Sequence, residues 1–317
     1  MSTATTAAGP AVRVRGLVKR YGHPVTGHLA VDGLDLDVER GECFALLGPN
    51  GAGKTTTVEV LEGHRSRTAG EVEVLGQDPA TAGLDWRART GIVLQSATDA
   101  ADLSVQEVVR HFAVYHADPR DPDEVVEAVG LTGQRRTRVR ALSGGQRRRL
   151  DVALGILGRP ELLFLDEPTT GFDPEARRQF HDLVRALRAD GTTVLLTTHY
   201  LDEAAQLADR VGVVARGRLL EVAPPDRLGG RAALGAVVSW TEDGRPREEV
   251  TAAPTALVRS LLARPGLLVD GEVPGLQVRR PTLEDAYLAL LDSAGAAADG
   301  TGASPEHVPA PTPRRSR

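Results

Sequence analysis

Residues 48–55 read GPNGAGKT, with the apolar run CFALL immediately before and the helical spacing of KTTTVEVLEGHR following from Lys54. The pattern of glycine, four residues, glycine, lysine and threonine is one that holds phosphate. Its glycines let backbone N–H groups turn inward on phosphate oxygens, and the helix N-terminus adds the positive end of its dipole. Lys54 supplies a compact point charge for β- and γ-phosphates, where the planar fork of an arginine would not fit the same space. Of 38 basic side chains only Lys19 and Lys54 are lysines, so a lysine at this position is informative. Thr55 offers a hydroxyl to Mg2+.

A second chemically capable group closes LLFLDEP, residues 162–168. Four apolar residues predict a buried strand that delivers Asp166 and Glu167 at its C-terminal end. Adjacent side chains on a strand diverge, so the two carboxylates can divide the labour. Asp166 suits a Mg2+ shell and Glu167 suits a general base that polarises an attacking water, a role worth roughly 10²- to 10⁴-fold in rate. Judged alone, the pair is also what a solvated acidic strand end looks like.

The third stretch is RALSGGQRRRL, residues 140–150, inside a run from Arg135 to Arg149 that holds seven arginines and no acid. A strip for nucleic acid and a part of a nucleotide site are both open readings. The formal charge of -5 argues against a protein whose whole surface traps nucleic acid, so any basic function is local.

The elements that must position these residues follow from periodicity. ECFALLG, ELLFLDEP, TTVLLTTH and RVGVVARG read as short strands alternating with helices, among them residues 175–189 with Phe180, Leu183, Val184 and Leu187 on one face. That rhythm predicts an α/β domain with a mainly parallel sheet. Residues 96–160 break it and read as a helical insertion. Past Pro224 and Pro225, short alternating pieces around a helix with Leu257, Leu261 and Leu262 suggest a small α+β domain at 224–293. It closes on PTLEDAYLALL, where Thr282 and Asp285 form a capping-box pattern ahead of a stripe of Leu283, Ala286, Tyr287, Leu290 and Leu291. That helix is either an ordinary packed one or a partner-binding one. Residues 1–10 and 294–317 have the composition of tails. The single cysteine, Cys43, reads as a core residue, and a reducing compartment fits. No run approaches 18 apolar residues, so the chain is expected to be soluble, with any membrane role needing a partner.

LSGGQ at 142–146, a short helix ahead of the paired carboxylates, resembles the signature sequence of ABC-type ATPases. The remaining motifs of that family then fall in order: Tyr21 in KRYG resembles the aromatic that stacks on adenine, and Gln95 in GIVLQ the glutamine of the loop facing the transport partner. Asp173 in GFDP resembles the D-loop, and His199 in TTHY the switch histidine. Phe172 departs from the leucine common at its position. The resemblance covers about residues 11–220 and implies a P-loop fold of ABC type: a mainly parallel core sheet, an N-terminal antiparallel β part and a helical subdomain, here within 11–223. It implies ATP held by Gly48, Pro49, Asn50, Gly51, Ala52, Gly53, Lys54, Thr55, Thr56 and Tyr21. Ser143, Gly144, Gly145, Gln146 and Asp173 would meet it across a head-to-tail homodimer. Mg2+ would fall to Thr55, Gln95 and Asp166, and hydrolysis to Glu167, His199 and Gln95.

EGHRSRTAGEVEVLGQDP and PTLEDAYLALL are similar to the ATP-binding subunits of type-2 exporters, including the daunorubicin-resistance kind. That implies an ATPase on the cytoplasmic face of the cell membrane that powers a separate permease for a small hydrophobic compound. No nucleic acid is expected as a partner. A soluble ABC ATPase acting on nucleic acid or the ribosome, and an importer ATPase, stand as alternatives.

Overall fold

The structure is a computed structural model that describes residues 9–93, 101–230 and 235–299. Its centre is a sheet covered on both faces. Strands β3 (Cys43–Leu47), β6 (Leu162–Asp166) and β7 (Thr193–Thr197) read CFALL, LLFLD and TVLLT, near-continuous apolar runs of the kind a doubly covered parallel strand requires. Alternate residues divide between two cores. Cys43, Ala45, Leu47, Leu163, Leu165, Val194 and Leu196 face one cluster, whereas Phe44, Leu46, Leu162, Phe164 and Leu195 face the other. Strands β5 (Thr90–Val93) and β8 (Arg210–Ala215) complete the parallel part. Strand β9 (Arg218–Ala223) closes the edge antiparallel to β8, giving the order β5-β6-β7-β3-β8-β9.

The second cluster is roofed by an antiparallel sheet in the order β2-β1-β4, from β1 (Val12–Tyr21), β2 (His28–Val38) and β4 (Ala69–Val74). Helix α1 (Lys54–Leu61) packs between the two sheets through Val58, Val60 and Leu61. On the short helix α2 (Leu84–Ala88), Trp86 fills the edge of this core and donates its indole N–H to the Val74 carbonyl at 2.8 Å.

The first cluster is covered by helices. Between β5 and β6 the described residues hold α3 (Val105–Ala113), α4 (Pro122–Ala128) and α5 (Gly144–Leu157) with two short 3-10 turns and no strand, in line with the helical insertion. Helix α3 starts on a capping box, with Ser104 and Glu107 bonding each other's backbone N–H, and buries Val105, Val108 and Val109 along one stripe. Helix α6 (Pro174–Ala189) buries Phe180, Val184 and Leu187, and α7 (Leu201–Leu207) buries Ala204 and Leu207.

Toward the C-terminus, β10 (Ala236–Glu242), β11 (Arg245–Thr251) and β12 (Gln277–Arg279) form an antiparallel sheet in the order β11-β10-β12. With α8 (Pro254–Leu262) it encloses a core of its own, built on Val238, Trp240, Leu261, Leu267 and Val273. Leu262 of the same helix is exposed. Helix α9 (Leu283–Asp299) starts on the Thr282–Asp285 capping box, the Thr282 N–H donating to Asp285 Oδ2 at 2.7 Å. Its stripe does not join the small core. Leu283 is buried in the first cluster and Tyr287, Leu290 and Leu291 pack against it, so the helix covers the main sheet's helical side. It runs past residue 293, where the composition turns to that of a tail. Residues 1–8 and 300–317 of the expected tails lie outside the described residues.

Candidate active site

The site sits at the C-terminal ends of β3, β6 and β7, where an open parallel sheet places its ligands. Residues 48–53 turn from β3 into α1 within reach of two neighbouring backbones. A Cβ on Gly48 would stand 2.2 Å from the Val214 carbonyl oxygen, and one on Gly53, at φ 102°, would stand 2.3 Å from that of Ala30. Only glycine fits at either place. Pro49, Asn50 and Gly51 form an exposed rim, while Ala52 is buried and accepts the Gly217 N–H at 2.9 Å.

Lys54 is 8 % exposed, and its ammonium folds back to donate to the carbonyls of Gly48 at 2.7 Å and Pro49 at 3.1 Å. Burial lowers its pKa, against the opposing charges of Glu167 and Asp166. The loop is thus a cradle held around a cation. Thr55 is exposed at the start of α1, and the Thr56 hydroxyl lies 3.3 Å from the Tyr21 hydroxyl. The Tyr21 ring has Lys19 Nζ 5.1 Å and Arg65 Cζ 5.2 Å from its centroid.

Asp166 ends β6 in register with Thr197 of β7, and the Thr197 hydroxyl donates to its Oδ1. From α5, Arg148 reaches the Asp166 carbonyl and is itself buried. Glu167 leaves the strand at φ 48° while donating its N–H to the Thr197 carbonyl at 2.9 Å. A left-handed conformation costs a non-glycine residue about 1 kcal/mol or more. Each carboxylate has its own partner, Asp166 the Thr197 hydroxyl and Glu167 the His199 imidazole. Glu167 Oε1 meets His199 Nδ1 at 3.2 Å, and the imidazole lies against Tyr200, with ring centroids 4.0 Å apart. At the C-terminal end of α1, Glu62 is buried, which pushes its carboxyl up to about 8, with Asp166 and Glu59 adding to the shift.

The signature residues occupy a different setting. Ser143 is the N-cap of α5: its Oγ accepts the Gln146 N–H at 3.2 Å, and Gln146 Oε1 accepts the Ser143 N–H at 3.0 Å. Gln146 is therefore engaged in a capping box. Gly144 is exposed with nothing near a notional Cβ, and one on Gly145 would stand 3.0 Å from the Gly171 carbonyl oxygen. Together with Arg147, Arg148, Asp151, Thr170 and Gly171 they line an open cleft of ≈ 730 Å³ that Glu167 also borders. No residue of the phosphate loop lines it. Burial pushes Asp151 up to about 6, against the pull of Arg148 and Arg147.

Five of the seven arginines of the run, Arg148 among them, bind the chain itself, while Arg136 and Arg138 are exposed. Arg147 donates to the Val139 carbonyl, Arg149 to that of Gly130 and Arg135 to that of Asp123, while Arg140 pairs with Asp102 at 2.8 Å. Asp173 caps α6, accepting the Ala176 N–H at 2.7 Å. Phe172, the departure from the family's leucine, turns inward and meets Phe180 edge-on at 6.0 Å. Gln95 lies outside the described residues. The periodicity of the sequence did not single out Thr197 or Arg148. Thr197 was findable as a polar residue ending an apolar strand, but Arg148 was hidden among seven like residues.

Residues 31–170 match the ABC transporter family. The daunorubicin resistance ATP-binding protein DrrA3 of Streptomyces coeruleorubidus is 40 % identical over 308 residues, 89 % of this chain and 96 % of that protein. The fluoroquinolones export ATP-binding protein of Mycobacterium tuberculosis (strain ATCC 25618 / H37Rv) is 40 % identical over 218 residues, 68 % of this chain and 72 % of its own. Among solved structures, the ATP-binding cassette MJ0796 bound to ADP and Pi, a dimeric post-hydrolysis state, is similar in fold. It has a TM-score of 0.61 at 21 % identity, covering 67 % of this chain and 98 % of that one. A likeness that runs almost end to end, on a fold that brings the phosphate loop to the paired carboxylates, leaves one assignment: the chain belongs to the ABC transporter family, as one of its ATP-binding, ATP-hydrolysing proteins.

Proposed function

We propose that this ATPase powers the export of a small hydrophobic compound of the drug or antibiotic type, working as a head-to-tail homodimer on a separate membrane permease. The likeness to a daunorubicin resistance protein supports the cargo class, because it continues beyond residue 170 into the C-terminal part of the chain. Among the described residues no helix is long and apolar enough to cross a membrane, which supports a peripheral place at the cytoplasmic face beside that permease. In this reading residues 11–223 form the nucleotide-binding domain and 224–293 an accessory domain.

The observation that carries the hydrolytic part is the 3.2 Å contact of Glu167 and His199 beside the phosphate cradle. Glu167 takes the proton of the attacking water, and His199 holds that carboxylate in place and faces the γ-phosphate. Lys54 gives up its two carbonyl partners for phosphate oxygens, and N–H groups of residues 50–56 surround them. Tyr21 offers its ring to adenine. Ser143, Gly144 and Gly145 of the opposite subunit close on the γ-phosphate at the N-terminus of α5, with Gln146 holding the cap and Asp173 the adjoining turn.

The donor set suits Mg2+: one carboxylate, Asp166, oriented by the Thr197 hydroxyl, and the exposed hydroxyl of Thr55. No cluster of three or more His, Cys, Asp or Glu capable of caging a metal occurs among the described residues, and Mg2+ is commonly held by one or two carboxylates plus the substrate's phosphates. Bound there, with Gln95 as a further ligand, it would neutralise charge on the β- and γ-phosphates. Nucleic acid is not a partner in this reading, which is supported by five of the seven arginines of the run binding the chain's own carbonyls and carboxylates. The test is drug efflux from membrane vesicles containing the chain and its permease. Wild type is expected to transport on ATP addition and Glu167→Gln to bind ATP without transport, whereas transport by Glu167→Gln would reject the reading.

A further inference from the structure

The peptide unit that joins Asp166 to Glu167 is held at both of its polar groups. Its N–H donates to the Thr197 carbonyl at 2.9 Å, and its carbonyl accepts from the Arg148 guanidinium. That single plane sets ψ of Asp166 and φ of Glu167, so its orientation bears on where both residues point. The orientation is a costly one, because Glu167 stands at φ 48°. A plane freed at either group can relax toward the negative φ that non-glycine residues prefer, moving Glu167 relative to Asp166. Arg148 is delivered to this carbonyl by packing. Its helix α5 is anchored through Leu150, Val152, Ala153, Ile156 and Leu157, and Arg148 itself is 8 % exposed. Three residues earlier on the same face, Gly145 lies against the turn after Glu167, a Cβ there standing 3.0 Å from the Gly171 carbonyl oxygen. The flanking Arg147 and Arg149 donate elsewhere, to the carbonyls of Val139 and Gly130. Of three consecutive arginines, the middle one grips the catalytic turn.

We propose that Arg148 is a positioning residue for ATP hydrolysis: from the signature helix it pins the Asp166–Glu167 peptide and so holds the general base of its own chain in place. The inference rests on the roles proposed above for Asp166 and Glu167 and on the head-to-tail pair. Arg148 sits on the helix whose N-terminus serves the partner's ATP, yet the group it holds belongs to its own chain's site. A defect at Arg148 must therefore follow the phosphate loop of the same chain and spare the signature surface. It must also spare ATP binding, because the cradle is made by residues 48–56 and the Lys54 ammonium is held by loop carbonyls. The grip needs an N–H donor on a long stem. Lysine keeps a charged donor on such a stem, whereas methionine keeps apolar bulk and donates nothing.

The experiment measures steady-state hydrolysis of MgATP by the full chain for wild type, Arg148→Met and Arg148→Lys. It adds equal mixtures of Arg148→Met with Lys54→Ala, which removes the cradle's cation, and with Gly144→Glu, which sets a carboxylate where the partner's phosphate would approach. Arg148→Met is expected to lose about tenfold or more in kcat at a KM for ATP within about twofold of wild type, and Arg148→Lys to stay within about threefold of wild-type kcat. Mixing with Gly144→Glu is expected to raise turnover well above either variant, since one site then joins an intact loop, Glu167 and Arg148 to an intact signature. Mixing with Lys54→Ala is expected to raise nothing, because the only intact loop lies in the chain without Arg148. Binding of a fluorescent ATP analogue shows that Arg148→Met is folded, and if it does not fold, Arg148→Gln, whose amide has a shorter stem, replaces it in every assay. Wild-type kcat in Arg148→Met, equal losses for Lys and Met, or rescue by Lys54→Ala would each overturn the inference. So would a failure of Gly144→Glu to rescue Arg148→Met where it does rescue Lys54→Ala. Failure of Lys54→Ala and Gly144→Glu to rescue each other would instead overturn the head-to-tail reading on which the inference rests.

Discussion

The phosphate-loop half of the site and the signature half are built on opposite principles. The first grows from the most buried strands of the protein. Its lysine is already gripped by loop carbonyls, its aspartate is oriented by Thr197 and its glutamate is held in a left-handed turn beside His199. The second is an exposed helix N-terminus whose only preparation is a satisfied cap between Ser143 and Gln146. One half is organised before anything binds, and the other, in the proposed homodimer, is the surface brought up to a ligand held by the partner. If the proposed dimer forms, a site divided so unequally can act as a switch, because closing it moves only the simple half.

Substitutions can break this contrast from either side. The largest effect is expected from Glu167→Gln, which removes the base but keeps its shape: kcat for ATP falls on the order of 10² to 10⁴ while nucleotide binding persists, as read by turnover beside equilibrium binding. Lys54→Ala follows, with a loss on the order of 10² to 10³ in kcat together with weakened ATP binding, since the cradle loses its cation. On the signature side, Gly144→Glu sharpens the comparison. Nothing lies near the added Cβ, and a carboxylate in the first turn favours the helix, so thermal stability should hold or rise slightly. The same charge opposes an approaching phosphate and is expected to cut turnover by about tenfold or more. A fall in melting temperature with turnover intact would mean that the helix end serves stability alone.

The smallest effect concerns the price of organising the first half. Burial pushes the Glu62 carboxyl up to about 8 in the fold from its ordinary 4.5, so the folded state keeps a proton that the unfolded chain has released. Its contribution to stability is full below the unfolded pKa and is lost as pH rises through about 8, and Asp151 acts in the same sense up to about 6. Denaturant unfolding should therefore weaken with rising pH by at most about 1.4 kcal/mol per pH unit for each such group. In Glu62→Gln the slope between about pH 6 and pH 8 should flatten. A slope unchanged by that substitution would remove Glu62 as its source.

Much of the first half was legible in the sequence, because its local rules are strict. A run such as CFALL admits little besides a doubly buried strand, whereas the carbonyls of Val214 and Ala30 that exclude a side chain at Gly48 and Gly53 come from distant segments and carry no local signal. The apolar run of LLFLDEP placed the two carboxylates at a strand end correctly, although the left-handed turn at Glu167 carries no signal in residue type. What composition hid was the fate of the arginines. Charge alone cannot tell a solvated strip from one whose guanidinium groups turn back on carbonyls, and Arg148 behind Asp166 is a matter of packing between distant elements.

The central claim is that the two halves meet across a subunit pair, and complementation tests it most directly. Chains carrying Lys54→Ala and chains carrying Gly144→Glu are mixed in equal amounts and assayed for ATP turnover against each variant alone. A mixed dimer holds one phosphate loop and one signature surface that are both intact and face each other, so mixing is expected to restore turnover well above either variant. Turnover that stays at the level of the separate variants, with mixed dimers verified to form, would contradict the account.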